Sequence, residues 1–174
     1  MRSLFDIEIA NEQNALRINR PRLKAIAEAT LRAEKVASAE ISVALVDDQR
    51  IHEINREFLE HDYPTDVISF LLESSPVRGT KVARKSGKSR TTAATVCRGA
   101  GKRLGGEIII STDTAVRMAA EYGWRPAQEL SLYLVHGLLH LCGYDDLTPA
   151  EQTVMRAREV EVLRPWKIVP YYST

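Results

Sequence analysis

The sequence predicts a single layered domain in which helices pack on a β-sheet, a fold of the α/β or α+β class. Three observations lead to this prediction. The chain has 174 residues, which is the usual length of one domain. Segments with the two-residue period of strands alternate with segments that have the period of helices. Hydrophobic residues make up 44% and charged residues 27% of the chain, the ordinary balance of a globular protein.

The first half of the chain contains two strand patterns, each followed by a helical pattern. Residues 5–9 alternate apolar and acidic side chains, and residues 41–46 form a more continuously apolar run. Pro21 is a favoured first helical residue and opens the first helix. Asp47 or Asp48 can cap a second helix. The side chains that we expect to face the core on this second helix are Ile51, Ile54 and Phe58.

Two further strands and three further helices are predicted in the second half. The strands are expected at 67–72 and 106–111. Thr112 or Asp113 is expected to cap a helix that runs to about residue 122, and caps and hydrophobic period place two more helices at about 126–142 and 148–163. The last helix begins with a capping box, Thr148 to Glu151, and its expected buried side chains are Val154, Met155, Val160 and Leu163. The tail from Arg164 to Thr174 carries no clear signal.

A segment at about 75–103 interrupts this pattern, because it has no hydrophobic period and is rich in Ser, Thr, Gly, Lys and Arg. We expect a flexible insertion there. Its positive charge allows two interpretations, a solvated loop without a role or an arm that binds RNA phosphates. The candidate RNA-binding residues of the arm are Arg78, Lys81, Arg84, Lys85, Lys88 and Arg90.

Composition also bears on the compartment. The two cysteines, Cys97 and Cys142, do not form a disulfide framework and suit a reducing cytosol. The N-terminus has no apolar run of the length found in signal peptides. The apolar stretch at 130–142 is too short to cross a bilayer. We therefore expect a cytoplasmic protein that has no membrane partner.

The strongest chemical signal is a pair of histidines four residues apart, His136 and His140, on a predicted helix. This spacing places both imidazoles on one helix face, where they can bind a single metal ion. Gly143 can end the helix and turn the chain back, which brings Asp146 within reach as a third ligand. Two histidines and a carboxylate are an accepted ligand set for catalytic zinc, whose bound water would be the nucleophile. The ligand set alone does not exclude iron or nickel.

Two observations set limits on this interpretation. The helix is apolar on most sides, so the histidines could instead be hydrogen-bonded core residues. In addition, zinc peptidases of the H-E-x-x-H type have a glutamate base directly after the first histidine. That position is Gly137 here, so the usual peptidase base is absent.

The sequence from His136 to Asp146, H-G-L-L-H-L-C-G-Y-D-D, resembles the H-G-x-L-H-L-x-G-Y-D-H signature of the YbeY endoribonucleases. Ten of eleven positions fit, and the departure is Asp146, where the family has a third zinc-binding histidine. Residues 64–70 and 106–111 are similar to two further family elements, P-T-[DN]-V-[IL]-S-F and G-[DE]-I-x-[IL]-S. Family members often carry an arginine five residues before that proline, and here this position is Leu59.

The resemblance implies an α+β fold with a mixed four-stranded sheet and about five helices, one of them a central histidine-bearing helix. It also implies a zinc-dependent endoribonuclease that acts on single-stranded RNA, matures the 3′ end of 16S rRNA and takes part in ribosome quality control. The implied partners are rRNA, the small ribosomal subunit and its assembly factors. Asp145 is a catalytic candidate, either as a proton acceptor or as a residue that orients a histidine.

Two alternatives stay open from the sequence. A zinc peptidase of the metzincin kind shares the histidine spacing. Gly137 in place of the catalytic glutamate argues against this alternative. A ribosome-binding factor without turnover would be consistent with the departures at Leu59 and Asp146. Thr65 and Ser69 could serve either as turn and strand residues or as part of an active-site wall.

Overall fold

The computed structural model describes residues 4–77 and 97–173. Within them it contains four strands: β1 (Phe5–Asn11), β2 (Ser38–Val46), β3 (Val67–Pro76) and β4 (Lys102–Ser111). It also contains five α-helices: α1 (Arg20–Ala33), α2 (Asp48–Leu59), α3 (Thr112–Tyr122), α4 (Pro126–Cys142) and α5 (Pro149–Leu163). Two 3₁₀ helices, Arg164–Trp166 and Tyr171–Ser173, follow α5. The predicted α+β fold with a mixed four-stranded sheet is confirmed.

The sheet has the strand order β1-β2-β4-β3. The β1–β2 and β2–β4 pairs are parallel, and β3 pairs with β4 in the antiparallel direction at the edge of the sheet. Helices make the parallel connections, as these connections require a crossover. In the described part of the chain, no helix is both long enough and apolar enough to cross a membrane.

Helix α4 is the central element of the fold. Most of its side chains are buried, and it contacts α1, α3, α5, β3 and β4. Two glycines permit its close approach to the sheet. A Cβ atom at Gly137 would lie 2.8 Å from Cγ2 of Ile108, and one at Gly106 would lie 2.8 Å from Cδ1 of Leu141. Such distances are well below van der Waals contact, so larger residues would push the helix away from β4.

Gly137 therefore has a packing role at the position where zinc peptidases carry their catalytic glutamate. The Ser69 hydroxyl also donates to the Gly137 carbonyl at 3.3 Å, which ties α4 to β3. A glutamate here would place a carboxylate between the helix and the sheet, where burial of an unpaired charge is costly. The structure thus gives a physical reason why the residue beside His136 is not an acid.

Two local predictions were wrong. Phe58 was expected in the core, yet 63% of it is exposed. Helix α2 ends one residue later, and the Phe58 ring lies edge-on against Phe70, with the ring centroids 5.9 Å apart. The cap of α3 is Ser111, whose hydroxyl accepts from the Thr114 N–H, rather than either of the two residues that follow it. Both errors concern one residue at the end of a correctly predicted element.

The strands reach further into the basic insertion than its composition predicts. β3 continues to Pro76 and β4 begins at Lys102, and these two residues are paired in the sheet. Residues 97–101 form a turn that leads into β4. The six candidate RNA-binding residues lie outside the described residues; they are Arg78, Lys81, Arg84, Lys85, Lys88 and Arg90.

The tail, which was expected to be uninformative, packs on the domain. Ile168 is buried in the main core, and Tyr171 and Tyr172 pack against that core. On α5, Met155 and Leu163 are buried as predicted, whereas Val154 and Val160 are only partly buried. The sequence pattern missed two buried charged residues on the same helix, Arg158 and Glu159. Both prove to be important for the candidate site.

Candidate metal centre

The two histidine rings of α4 face each other across one helical turn. Nε2 of His136 lies 3.0 Å from Nε2 of His140, and the ring planes are inclined by 85°. Gly143 ends the helix with a φ of 108°, a left-handed conformation that glycine adopts readily. Its N–H donates to the His140 carbonyl, and the chain reverses direction after it.

This reversal brings Asp146 to the histidines. One carboxylate oxygen lies 3.6 Å from Nε2 of His136, and the other lies 3.7 Å from Nε2 of His140. The ligand atoms of the three residues all lie within 4.8 Å of one another. Tetrahedral donors about 2.0–2.1 Å from a zinc ion are roughly 3.3 Å apart, so three donors at these distances fit such an ion. The structure therefore brings the three predicted ligands together.

Each histidine is oriented through its other ring nitrogen. Nδ1 of His136 is 2.6 Å from a carboxylate oxygen of Glu159, and Nδ1 of His140 is 3.1 Å from the Tyr144 carbonyl. A carboxylate and a carbonyl can only accept, so both Nδ1 atoms donate. In the neutral rings, both Nε2 atoms then carry a lone pair, and each lies 3.6 or 3.7 Å from an Asp146 oxygen. Metal-binding histidines usually have this arrangement.

The two imidazoles differ in their affinity for a proton. Burial lowers the pKa of His136, but the hydrogen bond and charge of Glu159 outweigh it, so that the pKa lies above its ordinary value. Burial and the neighbouring His136 hold the pKa of His140 below its ordinary value. Only one of the facing Nε2 atoms therefore binds a proton readily. Two protonated Nε2 atoms could not lie 3.0 Å apart without repulsion.

Glu159 is the functional residue that the sequence pattern missed. It is 3% exposed, and it also accepts a hydrogen bond from the Tyr172 hydroxyl. The C-terminal segment thus fixes the carboxylate that orients His136. One signal could have identified Glu159: it is an acid among the buried positions of α5, between Met155 and Leu163.

A second buried carboxylate, Glu34, supports the loop that carries Asp146. Its oxygens accept from Arg158 Nε at 2.5 Å, from the Tyr144 hydroxyl at 3.2 Å and from the Arg98 N–H at 3.0 Å. Arg98 also donates to the Gly143 carbonyl at 3.1 Å. These contacts hold Gly143 and Tyr144 in place at the end of α4. The position of Asp146 therefore depends on charged groups from α1, α5 and the segment before β4.

Asp145 lies beside the ligand but has a different contact. Its carboxylate accepts from the Asp146 N–H at 2.8 Å, and the Asp146 carbonyl accepts from Gln152 at 3.0 Å. Both bonds stabilise the turn that presents Asp146. The geometry thus favours an orienting role for Asp145, directed at the aspartate ligand rather than at a histidine.

The histidines open onto a cavity of about 370 Å³ between α4, the end of α2 and β3. Its wall includes Leu59, Thr65 and Ser69, so the last two residues lie at the site as well as in the turn and the strand. Leu59, at the position of the family's arginine, contributes no charge to this wall. Among the described residues that line the cavity, there is no lysine or arginine.

Comparison with known proteins identifies the family. The sequence profile described as Endoribonuclease YbeY matches residues 8–167. The chain belongs to the YbeY endoribonuclease family. A relative named Endoribonuclease YbeY from Moorella thermoacetica is 43% identical over 81% of this chain and 82% of its own length. One from Salinibacter ruber is 32% identical over 90% of this chain and 89% of its own length.

Other matches extend this comparison. A relative of the same name from Anaeromyxobacter dehalogenans is longer, and the match spans 62% of its length. The solution structure of the Thermotoga maritima protein TM1509 aligns with 97% of this chain and 96% of its own, with a TM-score of 0.53. At 21% identity, this structural likeness concerns the fold alone.

We expect Glu159→Gln to lower zinc affinity about 10- to 100-fold, because the amide cannot polarise His136 as the carboxylate does. Isothermal titration with zinc in competition with a chelator measures this change. Glu121→Gln, an exposed glutamate on α3, is the matched control and should bind zinc like the wild type. Equal affinity of Glu159→Gln and the wild type would show that Glu159 does not support the metal centre.

Proposed function

We propose that the protein is a zinc-dependent endoribonuclease that cleaves single-stranded RNA, with His136, His140 and Asp146 as the metal ligands. The observation that supports this proposal most directly is the convergence of two Nε2 atoms and a carboxylate at the mouth of a cleft. Membership of an endoribonuclease family supplies the substrate class. The structure also gives no support to a peptidase, because the position of the usual base is closed by packing at Gly137.

The residues of the chain have separate roles in this reaction. When bound, zinc supplies Lewis-acid polarisation of a phosphodiester oxygen and a hydroxide nucleophile at neutral pH. Glu159 and the Tyr144 carbonyl accept the Nδ1 protons, so the Nε2 atom of each neutral ring is the one available to a metal ion and both rings are held in orientation. Asp145 holds the backbone of Asp146 in place. An unpaired strand can be drawn into a cleft of this size, whereas a duplex cannot.

In the cell, we propose maturation of the 3′ end of 16S rRNA and a part in ribosome quality control, in the cytoplasm. Membership of the YbeY family supports this assignment, together with a composition that suits a reducing compartment. The small ribosomal subunit and its assembly factors are the corresponding partners.

The central test of this function is cleavage of unstructured RNA by purified protein. His140→Ala removes one ligand from the surface of α4 and should abolish cleavage while leaving the thermal unfolding transition of the metal-free protein nearly unchanged. His52→Ala, a partly exposed histidine on α2 that does not line the cavity at the metal centre, is the matched control and should cleave normally. Tight RNA binding by the zinc-loaded wild type without any cleavage would instead favour the non-enzymatic ribosome-binding factor.

We also propose that the basic insertion binds RNA phosphates. Its support is compositional: six Lys or Arg residues lie between positions 78 and 90 without an acid. Each phosphate contact in a single strand contributes about −0.7 to the slope of log affinity against log salt. Deletion of residues 78–96 should therefore weaken RNA binding and flatten this slope.

A second variant, which keeps the length of the wild type, controls for the shortening of the chain in the deletion. In it, glutamine replaces the six basic residues Arg78, Lys81, Arg84, Lys85, Lys88 and Arg90. If charge is responsible, this variant should reproduce the deletion. Unchanged affinity and slope in both variants would show that the insertion is a solvated loop.

A further inference from the structure

A second cavity, of about 200 Å³, also adjoins the candidate metal centre. His136, Asp146 and Asp66 line both this cavity and the larger one. The remaining walls differ, because α2 and β3 form the larger cavity, whereas α5 and the C-terminal segment contribute to the smaller one. A strand that crosses the centre would therefore contact both cavities beside the cleaved bond.

The smaller cavity has aromatic walls that are held in place from outside. Tyr171 and Tyr172 line it, with ring centroids 5.3 Å apart. The Tyr171 ring stacks on the Tyr122 ring, with the centroids 3.7 Å apart. It also makes a T-shaped contact with Trp124, with the centroids 5.6 Å apart. Neither of these supporting residues is part of the cavity lining. The Tyr171 ring is thus fixed before a ligand enters, which lowers the entropy cost of binding.

One positively charged side chain, Arg156, lines this cavity. The guanidinium carbon of Arg156 lies 5.2 Å from the centroid of the Tyr172 ring, and the residue is exposed. Among the described residues that line the two cavities, Arg156 is the single lysine or arginine. It can approach a phosphate that flanks a base in the cavity, and it compensates in part for the carboxylates of Asp66 and Glu159.

The volume of the cavity suits one flat ring system. A cavity of about 150 Å³ holds a benzene molecule. About 200 Å³ therefore suits one nucleobase but neither a base pair nor a length of peptide. Proteins that bind unpaired RNA stack its bases on aromatic side chains and arginine planes, the two kinds of group found here.

We infer that this cavity, which we name the tyrosine pocket and define by Tyr171, Tyr172 and Arg156, binds one unpaired nucleobase next to the cleaved phosphodiester. The inference rests on the proposed ribonuclease function and adds a base-binding subsite to it. Tyr171 provides the stacking surface, and Arg156 contacts a flanking phosphate. Tyr172 also holds Glu159, so it connects the pocket to the metal centre.

Single-stranded RNAs that carry one 2-aminopurine, placed at successive positions around the cleavage site, test this inference. Stacking quenches 2-aminopurine fluorescence, and stopped-flow mixing with the zinc-loaded protein records it before the strand is cut. We expect quenching at one position beside the cleaved bond. Tyr171→Leu should abolish it and weaken binding about 5- to 150-fold, the range for loss of one stacked base.

Three control variants make the result specific. Phe58→Leu removes an exposed aromatic ring that lines neither cavity and should leave the quenching intact. Tyr171→Phe keeps the ring and should also retain it, which separates stacking from a general effect on the fold. Arg156→Gln should weaken RNA binding. The factor should be similar for an intact RNA and for one in which the neighbouring nucleotide is abasic, because the partner of Arg156 is a phosphate.

The outcomes separate the subsite from the enzymatic function. Cleavage without position-specific quenching, or quenching that survives in Tyr171→Leu, would overturn the tyrosine pocket and leave the ribonuclease proposal intact. Quenching that depends on Tyr171, in a protein that cuts no RNA, would support the pocket and contradict the enzymatic function.

Discussion

The close packing of α4 against the sheet is the constraint on which the candidate site depends. The glycine contacts at positions 106 and 137 leave no space for the helix to shift, and its apolar side chains are buried against the elements around it. The exposed fractions of the His136 and His140 side chains are 25% and 27%, and these are the only residues in the range 129–142 that are not buried. A rigid helix fixes the spacing of the two imidazoles, and preorganised ligands favour metal binding.

Two neighbouring residues of α5 connect this helix to the rest of the site. Arg158 binds the buried carboxylate of Glu34, which in turn accepts from the Tyr144 hydroxyl near the end of α4. Glu159 binds His136 directly. Both carboxylates are almost inaccessible to water, and a buried charge without its partner is strongly destabilising. The same contacts therefore stabilise the domain and orient the ligands, so the site is an integral part of the core.

Local signals in the sequence predicted the elements and the histidine helix, because hydrophobic period and caps depend on neighbouring residues. The motif also predicted that His136, His140 and Asp146 would meet. Contacts between distant segments could not be predicted in this way. Glu159 reaches His136 across 23 positions of sequence, and Tyr172 reaches Glu159 from a tail that carried no signal. The exposure of Phe58 has the same cause. The amphipathic period of α2 predicts which face is apolar, but it does not reveal how far along that face other elements pack against the helix.

The most direct test of the metal centre is the zinc content of two single variants, measured by native mass spectrometry beside the wild type. Asp146 faces both histidines, whereas the carboxylate of Asp145 accepts from the backbone of Asp146. Asp146→Ala should therefore lose zinc at concentrations that saturate the wild type, and Asp145→Ala should retain it. Full zinc occupancy in Asp146→Ala together with loss in Asp145→Ala would contradict the proposed ligand set.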